Sequence, residues 1–124
     1  MQGIANIKPD IKFMTSGKIS IMRRAYNALG IKPGDAINLT EIKGEIYMYV
    51  AQPNAGTHFK GRTYQSSHNC MHLYVQWKEM AQYIINKDGR APEAHYRAGE
   101  PVKINGTKYL PIITRRNYAA KNQL

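Results

Sequence analysis

The residues of this sequence that are best suited to chemistry are basic, and several of them fall between Ser16 and Asp35. In the run SGKISIMRRAYNALGIKPGD, Lys18 begins an alternating segment and the pair Arg23-Arg24 begins the next one. Lysine and arginine neutralise phosphates, and an arginine can also donate two hydrogen bonds to a guanine edge. The alternative is that these side chains form an ordinary solvated face of a basic protein.

A second basic group lies near the C-terminus, in the run TRRNYAAKNQL. Arg115, Arg116 and Lys121 can lie along phosphates as an arm, and Tyr118 can stack on a base if the strand is single. An ordinary solvated tail has the same composition, so both interpretations stay open.

Histidine and cysteine cluster around residue 70. His68, Cys70 and His72 would share one face of a strand, and His58 or His95 could complete a tetrahedral zinc site. The CxxC pairs of common zinc sites are absent, so we predict neither a metal nor a cofactor. A ribonuclease based on His68, His72 or His95 with lysine or arginine needs no motif and stays an alternative.

Other catalytic patterns have weaker support. Asp35, Glu45, Asp88 and Glu100 each adjoin a glycine in a predicted turn, where a backbone role explains them. The sequence contains no Ser-His-Asp or phosphate-loop spacing. We therefore predict a protein that is not an enzyme.

The overall charge points to an anionic partner. The 124 residues include 18 Lys and Arg against 8 Asp and Glu, a net charge of +10. Nine basic and four acidic residues fall on each side of Arg62, so the charge belongs to a folded surface and not to a tail. Nucleic acid or an anionic membrane surface fits such a balance.

Targeting and membrane segments are not expected. The apolar runs are far shorter than the ~20 residues of a membrane span, and MQGIANIKPD lacks the apolar region of a secretory signal peptide. The single cysteine, Cys70, excludes an intrachain disulfide. We predict a cytoplasmic protein with no membrane partner.

The first half reads as a strand, a helix and a hairpin. Ser16-Gly17 separates two short extended pieces, and apolar residues at helical spacing predict a two-turn helix over Arg23 to Leu29 that Gly30 ends. Strands 36–40 and 45–50 follow, joined at Lys43-Gly44. Ile46, Met48 and Val50 are expected on one face of the last strand, with Tyr47 and Tyr49 exposed or at an interface on the other.

The second half repeats this order weakly. MHLYVQ predicts a strand, WKEMAQYII a helix ended by a turn at Lys87-Asp88-Gly89, and Asn105-Gly106 a hairpin. RAPEAHYR between them is less regular. The predicted organisation is a first unit at 1–52, a polar connector or long loop at 53–69, a second unit at 70–114 and a basic tail at 115–124.

The first unit resembles a known family. GKISIMRRAYNALGIKPGDAINL followed by KGEIYMYV is similar to the AbrB-like swapped-hairpin family (SpoVT/AbrB), which includes transition-state regulators and the DNA-binding halves of MazE-type antitoxins. The similarity covers about residues 11–50. Met22 stands where the family usually has proline, and Arg23-Arg24 replaces its acidic-then-arginine helix start.

The resemblance implies a fold and a site. The fold is α+β, mainly β, a small barrel of interleaved or tandem β-hairpins with short helices, built from two chains or from the two halves of one chain. The implied nucleic-acid surface is formed by Lys12, Ser16, Lys18, Arg23 and Arg24. The chain is then a double-stranded DNA-binding transcription regulator or accessory factor, with a homodimer as one possible assembly.

Two other functions stay open. One is an antitoxin-type interaction module whose second half holds a protein partner. The other is a single-stranded DNA or RNA binder that stacks bases on Tyr47, Tyr49 and Tyr118.

Overall fold

The computed structural model describes residues 8–52, 61–62, 64–65, 73–88 and 93–118. This part of the chain has ten strands and two helices, which confirms the predicted α+β, mainly β class. The elements are β1 Ile11–Met14, β2 Lys18–Ile21, α1 Arg23–Leu29, β3 Ala36–Ile42, β4 Glu45–Ala51, β5 Gly61–Arg62, β6 Tyr64–Gln65, β7 Leu73–Gln76, α2 Lys78–Asp88, β8 Glu93–Ala98, β9 Val102–Ile104 and β10 Thr107–Ile113. Neither of these helices has the length and apolar character that crossing a bilayer requires.

Groups of strands from the first and second halves of the sequence alternate in one antiparallel sheet. The order is β5-β3-β4-β10-β8-β1-β2-β7-β6, and β9 pairs with β10. The sheet curls, because β5 at one end lies beside β7 near the other. Strand β8 joins the part formed by β5, β3, β4 and β10 to the part formed by β1, β2, β7 and β6. It pairs with β10 on one side and with β1 on the other.

The strands bury one face in a single apolar core. In β1, Ile11 and Phe13 are fully buried, while Lys12 and Met14 point to the opposite side and are half-buried. Helix α2 packs against β1, β2 and β8 and contributes Ile84 to the core. We call the surface that faces away from this core the outer face of the sheet.

Three turns form where the sequence predicts them. Helix α1 ends at Gly30, which adopts the left-handed conformation with φ of 70° and donates its N–H to the carbonyl of Asn27. At the β3–β4 turn, Lys43 and Gly44 both have positive φ, as a two-residue hairpin requires. The β9–β10 turn at Asn105 and Gly106 is built in the same way.

The stretch predicted to be less regular before the last hairpin contains a regular strand from residue 93 onward. Glu93–Ala98 forms the central strand β8, with Ala94, Tyr96 and Ala98 buried and the residues between them half-buried. The alternation is regular, but alanine has a low strand propensity and masks it. The pairing with β1 and β10 on both sides stabilises this strand in spite of its composition.

Two smaller expectations also need correction. Lys87 and Asp88 belong to the last turn of α2 and not to a separate turn. Within the predicted connector, β5 and β6 pair with β3 and β7. Val50 lies on the same face of β4 as Ile46 and Met48, as predicted, although it is 36% exposed.

Gly17 allows the β1–β2 turn to pack closely against the start of α2. Its φ is +100°, and a Cβ at this position would lie 2.9 Å from the Cα of Lys78. The carbonyl of Gly17 also accepts a 2.8 Å hydrogen bond from the N–H of Trp77. This contact positions the hairpin that carries Lys12 and Lys18.

We expect Gly17→Ala to lower the free energy of unfolding more than Gly34→Ala does. Gly34 has a similar φ of +93°, but a Cβ there would meet nothing within 4 Å. The positive φ alone costs about 1–2 kcal/mol for alanine, and overpacking adds about 1–3 kcal/mol at Gly17 only. Urea unfolding followed by the fluorescence of buried Trp77 measures both losses, and equal losses would contradict the close contact.

Candidate nucleic-acid interface

Asp10 connects three parts of the fold through its backbone. Its N–H donates to the carbonyl of Tyr96 in β8 at 2.7 Å, and its carbonyl accepts from the N–H of Met22 at 2.9 Å. Met22 is the residue before α1, so Asp10 links the start of β1 both to β8 and to the start of that helix. Proline has no N–H, so a proline at position 22 could not make the second bond.

The carboxylate of Asp10 is surrounded by donors. Arg24 Nε donates to Oδ1 at 3.1 Å and Arg24 Nη2 to Oδ2 at 2.6 Å, which is a bidentate pair. The N–H of Ala98 donates to Oδ2 at 2.8 Å, and Arg97 Nε lies 3.4 Å from the same oxygen. The side chain of Asp10 is only 4% exposed. These donors compensate for the loss of water around a buried charge.

Arg24 is held by this carboxylate in a fixed position. Its Nη2 also donates to the carbonyl of Ala98 at 2.7 Å, so one guanidinium ties α1 to the end of β8. The hydrogen bond to Asp10 raises the pKa of Arg24, partial burial opposes this rise, and the charge of Asp10 adds to it. Arg24 therefore stays cationic, and with Arg97 it leaves the cluster with one net positive charge.

An open groove of about 420 Å³ runs past this cluster. Its lining combines five cationic side chains with one acidic and two apolar ones: Lys8, Pro9, Asp10, Lys12, Met22, Arg23, Arg24 and Arg97. Arg97 Nη1 donates to the carbonyl of Lys8 at 3.1 Å, which fixes the edge of the groove. Cations concentrated in a concave surface attract and orient anions.

The structure brings together three of the predicted site residues and separates the others from them. Lys12, Arg23 and Arg24 line the basic groove. Ser16 and Lys18 lie at the turn end of the β1–β2 hairpin, where the ammonium of Lys18 sits 4.7 Å from the ring centre of Tyr74.

The two predicted arginines of the C-terminal arm follow β10. Arg115 and Arg116 are both exposed, and the guanidinium of Arg116 lies 4.9 Å from the ring centre of Tyr118. Neither of them is among the residues that line the groove.

Five groove-lining residues are missing from the sequence-based site, and three of them, Lys8, Asp10 and Arg97, are charged. Asp10 and Lys8 precede the segment that resembles the swapped-hairpin family, and Arg97 lies in the stretch predicted to be less regular. The alternation of Ala94, Tyr96 and Ala98 is the one signal that could have placed Arg97 on a strand. The role of Asp10 has no local signal, because its partners come from elsewhere in the chain.

The tyrosines expected at an interface form part of a cluster. Tyr47 and Tyr49 of β4 are half-buried on the outer face, together with Tyr109 of β10. The ring centres of Tyr49 and Tyr109 are 5.0 Å apart, and those of Tyr47 and Tyr109 are 6.5 Å apart in an edge-on arrangement. The sequence-based prediction omitted Tyr109.

Of the histidines considered for zinc or for catalysis, His95 alone falls in the described residues. Its ring Nε2 lies 2.6 Å from Glu93 Oε1, and its backbone N–H donates to Asn117 Oδ1 at 2.8 Å. His58, His68, Cys70 and His72 lie outside the described residues. Among the residues that the structure describes, no group of three metal-ligating side chains comes together.

Comparisons with protein-family models, with curated proteins and with solved structures give no match for this chain. The similarity to the swapped-hairpin family therefore rests on the sequence pattern of residues 11–50. What this surface can bind follows from the charges and distances of the groove itself.

Proposed function

We propose that this chain binds nucleic acid, and specifically double-stranded DNA, through the basic groove, as a regulator or accessory factor. The observation that carries the proposal is the meeting of five cationic side chains in one open groove. Of its lining residues the acidic one is Asp10, whose carboxylate already accepts bonds from Arg24 and Ala98. The groove thus presents an excess of positive charge to an incoming phosphate.

The cations of the groove differ in how firmly they are held. Arg24 and Arg97 are anchored on Asp10, yet their side chains are 51% and 34% exposed, so both remain accessible from solvent. A fixed guanidinium loses little conformational freedom when it binds a phosphate. Arg23, exposed beside them, is the residue best placed to adjust to a phosphate or a guanine edge.

The rest of the molecule favours the same partner. The net charge of +10 is shared evenly between the two halves of the sequence. A field of this kind accelerates the encounter with a polyanion and makes binding sensitive to salt. The exposed Arg115 and Arg116 would extend the contact along the sugar-phosphate backbone of the DNA.

We expect Lys12→Ala and Arg23→Ala to weaken binding to duplex DNA and to reduce its salt dependence. Each phosphate that is no longer neutralised should make the slope of log K against log salt shallower by about 0.9. Fluorescence anisotropy of a labelled duplex, over a series of salt concentrations, measures both effects. Arg24→Ala is unsuitable for this test, because it also breaks the pair with Asp10.

The matched control is Lys103→Ala, which removes the same charge from the exposed strand β9. It should change the affinity less than either groove variant. Binding that is independent of salt, or three variants with equal affinities, would contradict the basic groove as the DNA contact.

We also propose that the curled sheet is a swapped-hairpin barrel in which one chain supplies both halves. Two pairings favour this arrangement: β2 pairs with β7, and β4 pairs with β10. In each pair the strands occupy equivalent places in the two predicted units. The second unit then stands where a second chain would stand in a two-chain barrel.

A barrel completed within one chain should be a monomer without nucleic acid. Sedimentation at increasing concentrations should give the mass of one chain, 14.1 kDa. A dimer that persists on dilution would contradict the single-chain barrel and would instead support hairpin exchange between chains.

A further inference from the structure

The tyrosine cluster on the outer face has open aromatic surface and a fixed geometry. Tyr49 and Tyr109 lie at a ring distance of 5.0 Å with an interplanar angle of 54°, and Tyr47 meets Tyr109 edge-on at 87°. All three side chains are half-buried, so their positions are set by packing while part of each ring remains in contact with solvent. We call these three residues the tyrosine platform.

The platform continues along the outer face toward the basic groove. Tyr47 pairs with Pro111 across β4 and β10, and the N–H of Gly99 donates to the carbonyl of Pro111 at 2.9 Å. Arg97, two residues before Gly99, lies opposite Ile113 on the same face of the sheet. Because strands lie ~4.8 Å apart and residues rise ~3.4 Å, Tyr47 and Arg97 are separated by about 12 Å along the surface.

The face between the platform and Arg97 carries Gly99, Pro111 and Ile113. Gly99 has no side chain, and a Cβ there would lie 3.1 Å from Pro111 Cγ and 3.8 Å from Ile113 Cδ1. Pro111 and Ile113 are half-buried, so a chain of a few nucleotides would cross an apolar surface between the tyrosines and the arginine. The exposed carboxylate of Glu100, next to Gly99, sets the side that the phosphates must avoid.

We propose that the tyrosine platform stacks the unpaired bases of a single-stranded nucleic acid, whose phosphates then reach Arg97 and Lys12 in the basic groove. Base stacking on aromatic rings needs no particular sequence, because every base has a π-face. In a duplex the base faces are covered by their neighbours, so the platform selects unpaired segments. This inference rests on the proposed function for the phosphate contacts, and the platform itself is a separate site.

The chemistry around Tyr47 agrees with a neutral stacking surface. The hydroxyl of Tyr47 donates to Glu45 Oε1 at 2.9 Å, which orients the ring. This hydrogen bond raises the pKa of Tyr47, so the phenol stays uncharged at physiological pH. The carboxylate of Glu45 repels phosphate, which directs the backbone of the strand toward Arg97 on the other side of β10.

The test compares one oligonucleotide of about 12 nucleotides, single-stranded, with the duplex of the same sequence. The variant Tyr49→Leu with Tyr109→Leu keeps apolar side chains on the strands but removes the rings. Its counterpart Tyr49→Phe with Tyr109→Phe keeps the rings and removes the hydroxyls. Tyr83→Leu is the matched control, because Tyr83 is 47% exposed on α2, where its hydroxyl donates to Glu41 of β3, and its ring is not part of the platform.

We expect the double leucine variant to bind the single strand about 5- to 150-fold more weakly, as the loss of stacking with one base predicts. The double phenylalanine variant and Tyr83→Leu should retain the affinity of the unchanged chain. Duplex binding should stay the same for all of them. Thermal unfolding verifies that each variant is folded, and the single variant Tyr49→Leu against Tyr49→Phe makes the same comparison if the leucine pair is unstable.

Three outcomes would overturn the platform: no binding of single strands by the unchanged chain, equal single-strand affinities for the leucine and phenylalanine variants, or an equal loss on duplex and single strand. Failure of the basic groove is recognised separately, because it appears as duplex binding that does not respond to Arg23→Ala. If the platform instead binds a protein, its substitution should leave oligonucleotide binding unchanged.

Discussion

The buried carboxylate of Asp10 is the interaction on which both the fold and the groove depend. Its side chain accepts from Arg24 of α1 and from the N–H of Ala98 in β8, while its backbone bonds to Tyr96 and Met22. One residue thus fixes where the first helix starts relative to the central strand. Removing one partner of a buried ion pair leaves the other charge buried without compensation, which strongly lowers the free energy of unfolding. The position of Asp10 is therefore intolerant of change.

The same interaction divides the basic residues of the groove into two kinds. Arg23 and Arg24 are neighbours in sequence, but successive residues on a helix point in different directions, so one reaches Asp10 and the other faces solvent. Arg24 and Arg97 shape the groove and keep their charge in a fixed place. Arg23, Lys12 and Lys8 supply charges that can follow a ligand. A carboxylate inside a basic surface is therefore what orders that surface.

The first unit could be predicted from the sequence because its determinants are local. Alternating isoleucines define β2, and Gly30 and the Lys43-Gly44 pair end their elements with conformations that few residues adopt. Of the surface implied by the resemblance, Lys12, Arg23 and Arg24 meet in the groove, whereas Ser16 and Lys18 lie at the turn end of the β1–β2 hairpin. The meeting of the first three in a single groove follows from positions that are close in the chain.

The remainder depends on contacts between distant residues. Asp10 bonds to Arg24 across 14 residues and to Ala98 across 88 residues, and no periodicity reveals such a pairing. Strand β8 is stabilised by neighbours on both sides, so its alanine-rich alternation is weak evidence by itself. Tyr109 joins Tyr47 and Tyr49 only because β10 pairs with β4. Local patterns predict elements, whereas the order of strands in the sheet determines which side chains meet.

The free energy of unfolding of the Asp10→Asn variant tests the central role of this carboxylate most directly. All groups around Asp10 are donors, so either orientation of the asparagine amide places its nitrogen against a donor. We predict a loss of about 2 to 4 kcal/mol in urea unfolding followed through Trp77. Asp35→Asn is the control, because Asp35 Oδ2 accepts from the N–H of Lys32 in an exposed turn, and it should lose less than about 1 kcal/mol. Equal losses for the two variants would contradict the dependence of the fold on Asp10.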